Sequence, residues 1–246
     1  MASWIVHLRI AEKILDHLPM LDAGQFAIGN VAPDSGVPDE NWEVFDPPPE
    51  ATHFKPKTTP NSFIVSEDLR FYRQFMLDQV SLNEEPERFS FLLGYFFHLI
   101  TDNLWSERIG RPTKERYKSE FEQNPDFIWE VKKDWYGLDF AYVRSHPDCL
   151  FWGDFLSSSY QIEYLDFFPP GAIAKQLDYI KTFYQRVDAE VKEQLRLSNN
   201  MYLNEAEMAL FVDGAYRDLL RIYHAIWDRG VSVDGFVSAV ELHLQN

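Results

Sequence analysis

The apolar run from Phe91 to Trp105 carries both a histidine and an aspartate, and it constrains the fold more than any other part of the sequence. Its length and its aromatic side chains predict a buried helix. His98 and Asp102 are four residues apart, so both side chains lie on the same face of that helix. Ionisable groups in such apolar surroundings cost several kcal/mol unless they are paired or bound to a metal ion. The run therefore predicts a core helix that carries either a metal site or a hydrogen-bonded pair.

Three residues of metal-binding type precede this run. His7 opens a predicted helix, Asp34 follows Pro33 in a loop, and His53 lies in a second part of that loop. Imidazole and carboxylate ligands suit zinc, iron or manganese better than magnesium, and without thiolates zinc has no strong advantage over the other two. Simpler explanations are open, because Asp34 can cap a turn, His7 can lie on the surface, and a buried histidine is more often hydrogen-bonded in the core.

Composition limits the domain organisation and the partners. The 246 residues, 46% of them hydrophobic, suffice for a packed core, and no linker divides them, so we expect a single helical domain over residues 1–246. Thirty-nine acidic and 23 basic residues give a formal charge of −16, which repels nucleic-acid backbones and anionic lipid surfaces. Nucleic acid is therefore not an expected partner, although a metal centre can still bind a single phosphate.

Cysteine usage and hydropathy bear on the compartment. The single cysteine, Cys149, excludes an internal disulfide and points to a reducing compartment. The sequence does not begin with a basic stretch followed by an apolar one, and no segment reaches the roughly 20 apolar residues that span a bilayer. These observations predict a cytoplasmic protein without a transmembrane segment.

Helical periodicity dominates the sequence and predicts an all-α domain. Predicted helices cover residues 4–18, 23–28, 66–76, 85–109, 113–122, 172–195 and 205–229, and a last one follows a cap at Ser232 or Asp234. Asn204 and Glu207 have the spacing of a capping box. Residues 126–170 contain helical fragments whose ends the pattern does not define. Residues 31–60 read as a long irregular loop, and because Asp34 and His53 lie in it, we expect a metal ion to anchor it.

Four motifs occur in a fixed order along the first part of the chain. They are His7 at the head of an amphipathic helix, Gly29-x-x-x-Pro33-Asp34, Thr52-His53-Phe54, and Leu93-Gly94-x-x-x-His98-x-x-x-Asp102-x-x-Trp105. Over about residues 1–110 the chain resembles the zinc-dependent phospholipase C family, which includes the catalytic domain of glycosylphosphatidylinositol-specific phospholipase D. The resemblance implies an all-α fold and hydrolysis of phosphate esters by a metal-activated water.

The resemblance also implies a ligand set. Asp34, His53, His98 and Asp102 would hold one ion, and His7 would hold a second ion bridged by Asp102. Asp34 and Asp102 are then the catalytic carboxylates. The implied cofactor is one or two zinc ions, with iron or manganese also compatible.

The chain departs from the family pattern at three places. The amino-terminal tryptophan that ligates metal in secreted members has no counterpart, because Trp4 is internal. No histidine follows Asp102 shortly afterwards. The third metal position has no clear match, although His146 and Glu163 are present.

The remaining candidate residues are given lesser roles. Arg108 lies one or two turns beyond Asp102 and is the predicted substrate-binding residue, unless it pairs with Glu107 or Glu115. The remaining histidines are interpreted as a helix-end residue (His17), a spare ligand in a loop (His146), a residue that packs internally or faces the site (His224), and a solvated residue (His243).

Three functions follow from these observations. The leading hypothesis is a metal-dependent, phospholipase C-like hydrolase whose substrate is a small phosphate ester or a phospholipid head group. The second is a metal-binding structural or sensing module without catalysis, which the missing later ligands favour. The third is a metal-free helical scaffold whose acidic face binds a protein partner.

Overall fold

A computed structural model describes residues 1–40, 43–56, 63–197 and 200–243. The described chain is mostly helical. Its helices are α1 (Trp4–His17), α2 (Ala23–Gly29), α3 (Pro49–Thr52), α4 (Asp68–Phe75), α5 (Pro86–Trp105), α6 (Arg111–Arg116), α7 (Lys118–Gln123), α8 (Phe127–Ser145), α9 (Ala172–Gln185), α10 (Ala189–Leu197), α11 (Glu205–Tyr223) and α12 (Val240–His243). A 3-10 turn covers Ala32–Asp34, and π-helical turns cover Ser106–Gly110, Phe151–Phe155 and His224–Asp228.

Helix α5 lies at the centre of the core. Every residue from Phe89 to Trp105 is buried, because the helix is apolar on all sides and is covered by α1, α2, α4, α11 and α12. No helix in the described ranges is long and apolar enough to cross a bilayer. The predicted central helix is therefore present, and its burial explains why His98 and Asp102 have no access to bulk water.

The crossing of α2 and α5 brings two backbones into direct contact. A Cβ atom placed on Gly29 would lie 2.0 Å from the carbonyl oxygen of Phe91, and one placed on Gly94 would lie 2.3 Å from the carbonyl oxygen of Phe26. Only glycine permits this approach. The contact fixes the end of α2, and with it Asn30 and the following turn, against the face of α5 that carries His98.

A buried polar contact fixes the chain on another face of α5. Asn103 Oδ1 accepts hydrogen bonds from the backbone N–H groups of Val65 (2.7 Å) and Ser66 (2.9 Å). Asn103 Nδ2 donates to the carbonyl of Ser66 and to Asp68 Oδ2, both at 2.8 Å. The segment before α4 is therefore attached to α5 one residue beyond Asp102.

Several predicted helix boundaries are confirmed. Helix α1 ends within one residue of its predicted end, and the Asp22 side chain caps α2 by accepting the Gln25 N–H at 2.7 Å. The capping box of α11 is present, with Asn204 and Glu207 exchanging both hydrogen bonds at 3.0 Å.

Other predicted boundaries are wrong. The helix predicted over 172–195 is two helices, because Arg186 adopts an extended backbone and Asp188 then caps the N–H of Val191. The predicted break at Gly110 and Pro112 does not occur: the π turn leads directly into α6, whose first turn tolerates a proline.

Three more regions differ from the sequence prediction. The predicted loop 31–60 contains the 3-10 turn, α3 and a short antiparallel pair, β1 (Val37–Pro38) and β2 (Phe45–Asp46), in which Val37 lies opposite Asp46. The last helix begins only at Val240. The region 126–170, whose helix ends could not be predicted, contains α8. Its mixture of polar and aromatic residues gives no clear helical period.

We predict that Gly94→Ala lowers the free energy of unfolding by at least about 3 kcal/mol, because a methyl group cannot fit between the two backbones. Gly110→Ala is the matched control, since Gly110 has helical dihedral angles and its Cβ would meet only the Trp105 carbonyl oxygen, at 3.7 Å. The control should be neutral or slightly stabilising. Urea unfolding of both variants tests this, and equal stabilities would contradict the assigned role of the glycine contact.

Candidate metal centre

Five ionisable side chains from four segments meet beside α5. Helix α1 supplies His7, the 3-10 turn supplies Asp34, the residue that ends α3 is His53, and α5 supplies His98 and Asp102. His7, His98 and Asp102 are fully buried, whereas the side chain of Asp34 is 16% exposed. The five candidate ligands of the sequence are therefore neighbours in space.

The facing atoms are separated by short distances. His7 Nε2 lies 3.6 Å from Asp102 Oδ1, and His98 Nε2 lies 3.6 Å from Asp102 Oδ2. On the other side, His53 Nε2 lies 3.2 Å from Asp34 Oδ1 and 3.3 Å from His98 Nε2. Ligands bound at about 2.0–2.2 Å around a tetrahedral zinc ion are about 3.3–3.6 Å apart, so most of these distances match the edges of a coordination shell.

The atoms form two overlapping groups. One contains His7, His98 and Asp102, the other contains Asp34, His53 and His98, and within each group the candidate ligand atoms lie within 4.8 Å of one another. This grouping differs from the one that the family resemblance implies, which placed His98 with Asp102 on one ion and His7 on another. His98 is common to both groups.

The backbone orients the central imidazole. His98 Nδ1 lies 2.8 Å from the carbonyl oxygen of Asn30, and a carbonyl only accepts, so Nδ1 carries the hydrogen. Nε2 of the neutral ring then has a free lone pair directed at the cluster, which is the arrangement of metal-binding histidines. His53 is held in a similar way, with Nδ1 at 2.9 Å from Thr52 Oγ1.

Some buried polar atoms of the cluster lack a hydrogen-bond partner in the described part of the chain. They are both ring nitrogens of His7 and Oδ2 of Asp102. The rings of His7 and His98 are stacked, with centroids 3.9 Å apart, and stacking satisfies neither nitrogen. A buried polar atom without a partner costs about 1–3 kcal/mol. A metal ion bound by His7 Nε2 and by Asp102 would remove most of this cost, so the residues fit a transition-metal ion.

Two further hydrogen bonds position the carboxylates. The backbone N–H of Ala2 donates to Asp102 Oδ1 at 2.9 Å, and Trp4 Nε1 donates to Asp34 Oδ2 at 2.8 Å. Sequence reasoning missed both contacts and the Asn30 carbonyl, since each depends on how the helices pack. The position of Trp4 one helical turn before His7 was the available signal.

The electrostatic balance keeps both carboxylates ionised. Burial raises the pKa of Asp102, but the positive amino terminus and the nearby imidazoles of His7 and His98 together outweigh burial and hold the pKa of this carboxylate well below its usual range. Burial likewise raises the pKa of Asp34, but the contact with His53 and the charge of His98 together outweigh burial, so this pKa is lowered too.

The pKa values of the two stacked imidazoles are shifted in opposite directions. Burial, and then the neighbouring His98, lower the pKa of His7 to about 4, so His7 is neutral near pH 7. Burial also lowers the pKa of His98, but the nearby carboxylates of Asp102 and Asp34 and the hydrogen bond to the Asn30 carbonyl together outweigh burial and raise it. Metal binding requires the neutral form of each histidine and therefore competes with protons at His98.

A cavity of about 460 Å³ reaches the cluster from the surface. Asp34 and His53 line this cavity together with Ala2, whereas His7, His98 and Asp102 are buried and do not line it. The rest of the lining comes from the loop before α3, which supplies several prolines and Phe45, and from α1, α8 and α9, which supply five aromatic rings. The cluster is therefore accessible to a small molecule through its Asp34 and His53 side.

The other residues singled out in the sequence lie elsewhere. Arg108 binds Asp218 on α11 through Nη2 and lines a different cavity with Pro112 and Leu203, so the structure does not bring it to the cluster. His146 and His224 are exposed and hydrogen-bonded within their own segments.

Two more residues complete this comparison. Glu163 is exposed and accepts the N–H of Gly171. The side chain of His243 lies outside the described residues.

Comparisons with protein-family models, with curated proteins and with solved structures find no match for this chain.

We predict that His7 makes the metal-free protein less stable in acid. The unfolded histidine takes up a proton near pH 6.5, whereas the buried one takes it up only near pH 4. The contribution of neutral His7 is therefore complete above pH 6.5 and declines as the pH falls towards 4, by roughly 3 kcal/mol in total. Urea unfolding in the presence of a chelator should show a steeper loss in the wild type than in His7→Gln.

His17→Gln is the control for this titration, because it removes an exposed histidine from the same helix. It should follow the wild-type curve. Parallel curves for the wild type and His7→Gln would show that His7 is not held neutral by burial.

Proposed function

We propose that this protein is a metal-dependent hydrolase of phosphate esters, with zinc as the preferred ion and an activity like that of the zinc-dependent phospholipase C family. The observation that carries the proposal is a cluster of three imidazoles and two carboxylates of which two members, Asp34 and His53, line an open cavity. A purely structural cluster has no need of a cavity at its edge. A small phosphate ester, or the head group of a phospholipid, is the proposed substrate.

The ligand set supports a transition metal over magnesium or calcium. Imidazole nitrogen is a good ligand for zinc, iron and manganese, whereas the harder ions prefer an all-oxygen shell. Zinc bound here would lower the pKa of a coordinated water towards about 7 and polarise a phosphoryl oxygen.

The protein side chains have separate tasks in this proposal. Asp102 faces His7 Nε2 with one carboxylate oxygen and His98 Nε2 with the other, so all three could bind the same ion, and the Ala2 N–H fixes its position. Asp34 is the carboxylate on the cavity wall, and Trp4 fixes its Oδ2. Asp34 Oδ1 is therefore the oxygen that would accept a proton from a water in the cavity, as a catalytic base must.

A structural metal site is the second candidate. It is favoured by the full burial of His7, His98 and Asp102, since closed sites of this kind tie segments together without exchanging ligands with solvent. A metal there would join α1 to α5. Turnover of a phosphate ester distinguishes the two functions.

The test is metal content together with turnover. We expect one or two equivalents of zinc in protein purified without chelator, and slow hydrolysis of bis(4-nitrophenyl) phosphate. His98→Ala and Asp102→Asn should each lose at least one equivalent of metal, and turnover should fall by at least about a hundredfold, because both remove a central ligand. Elemental analysis and absorbance measure the two quantities, and circular dichroism checks folding.

His146→Ala is the matched control, because it removes an exposed histidine that the structure places outside the cluster. It should keep both metal and turnover. Bound zinc without turnover would leave the structural site as the function, and absence of bound metal would exclude both.

A further inference from the structure

The cavity beside the cluster is lined by one lysine, by six aromatic residues and by several prolines. The rings, which form the aromatic wall of the cavity, belong to Trp4 on α1, to Phe45 on β2, to Trp129, Trp135 and Tyr136 on α8, and to Tyr179 on α9. The lysine is Lys132, also on α8, and it shares the lining with Asp34 of the cluster. Helix α8 therefore brings a cation to the same cavity as the candidate ligands, and the sequence motifs gave no sign of it.

The ammonium group of Lys132 has no carboxylate within 4.0 Å in the described ranges of the chain. Lys132 Nζ lies over the face of the Trp129 ring, 4.6 Å from its centroid. Burial lowers its pKa, and the charge of Asp34 partly offsets that effect. The adjacent Lys133 differs, because it forms an ion pair with Glu130 at 2.7 Å. A half-buried cation that lines a cavity and has no ion-pair partner within the described ranges is suited to a bound anion.

The aromatic wall is only partly buried. Trp129 is 57% exposed and Tyr179 is 43% exposed, although both rings border the cavity. Trp4 is edge-on to Tyr179 with centroids 6.0 Å apart, so these rings are held by one another. Large exposed apolar groups around a concave site are typical of ligand binding. The wall can therefore accept an apolar group from solvent.

The chain as a whole repels anions, which makes a local cation necessary. With a formal charge of −16, a phosphate group approaches this molecule against the long-range field. Lysine is a compact point charge that binds phosphate oxygens without a fixed orientation. Arg108, the candidate from the sequence, lines another cavity.

We propose that Lys132 binds the phosphate group of the substrate and that the aromatic wall binds its organic group, so that the substrate class is a phosphate ester of an aromatic or other apolar alcohol. This assignment rests on the proposed function, because the phosphate is taken to lie at the metal cluster. Lys132 is thus a specificity residue, and Trp129, whose ring it contacts, forms part of the apolar subsite.

The test is binding of phenylphosphonate and methylphosphonate, which cannot be hydrolysed as esters, to the zinc-loaded full chain. Isothermal titration calorimetry should show at least about tenfold tighter binding of phenylphosphonate, because only its ring contacts the aromatic wall. Lys132→Gln should weaken both ligands by at least about tenfold, as loss of a charge-assisted hydrogen bond does. Trp129→Ala should reduce the preference for the phenyl ligand by about threefold or more and affect methylphosphonate little.

Lys133→Gln is the matched control, since it removes the same charge from the same helix, and it should bind both ligands like the wild type. Equal affinities for the two phosphonates, equal effects of Lys132→Gln and Lys133→Gln, or no binding would each overturn the proposal. Binding with the expected preferences but without turnover of any phosphate ester would support this assignment and reject the hydrolase. Turnover of a phosphate ester without these binding preferences would support the hydrolase and reject the assignment of Lys132 and the aromatic wall.

Discussion

The candidate site depends on one close contact, the crossing of α2 and α5 at Gly29 and Gly94. Because neither residue has a side chain, the carbonyl oxygen of Asn30 comes within 2.8 Å of His98 Nδ1. That hydrogen bond fixes the tautomer of the central histidine and directs its second nitrogen into the cluster. The same crossing places the turn that carries Asp34 on the correct side of α5. The two glycines therefore determine both how the helices pack and how the imidazole of His98 is oriented.

The second constraint on the site is that its ionisable side chains are buried and must be neutralised or bound. Three imidazoles and two carboxylates lie together in a region that water hardly reaches, and several of their atoms have no partner among the described residues. Protons alone satisfy such a cluster poorly, since both ring nitrogens of His7 and Oδ2 of Asp102 have no hydrogen-bond partner in the described part of the chain. A divalent ion would satisfy the carboxylates and the imidazole lone pairs at once. The balance of charge therefore favours a metal over a proton network.

The sequence predicted the parts of the site that depend on local spacing. The four-residue separation of His98 and Asp102 placed both on one helix face, and their facing atoms lie 3.6 Å apart. The ordered motifs pointed to Asp34 and His53 as their neighbours. The grouping of the five ligands was not predictable, because it depends on how far the loop penetrates beside α5.

Tertiary packing explains the remaining differences. Helix α8 was not delimited because aromatic residues such as Trp129 line a cavity, so they interrupt the apolar period of a core-facing helix. For the same reason Lys132 was not recognised. Arg108 was predicted to bind substrate because it is close to Asp102 in sequence. In the structure it lies further along the same continuous helical segment, away from the cluster, and forms an ion pair with Asp218.

The location of a bound ion tests the central claim most directly. Crystals grown with zinc and measured at the zinc absorption edge should give an anomalous peak about 2.0–2.2 Å from His98 Nε2 and from a carboxylate oxygen of Asp102 or Asp34. A map with peaks only at exposed histidines such as His146 and His224, and none at His98, would contradict the account.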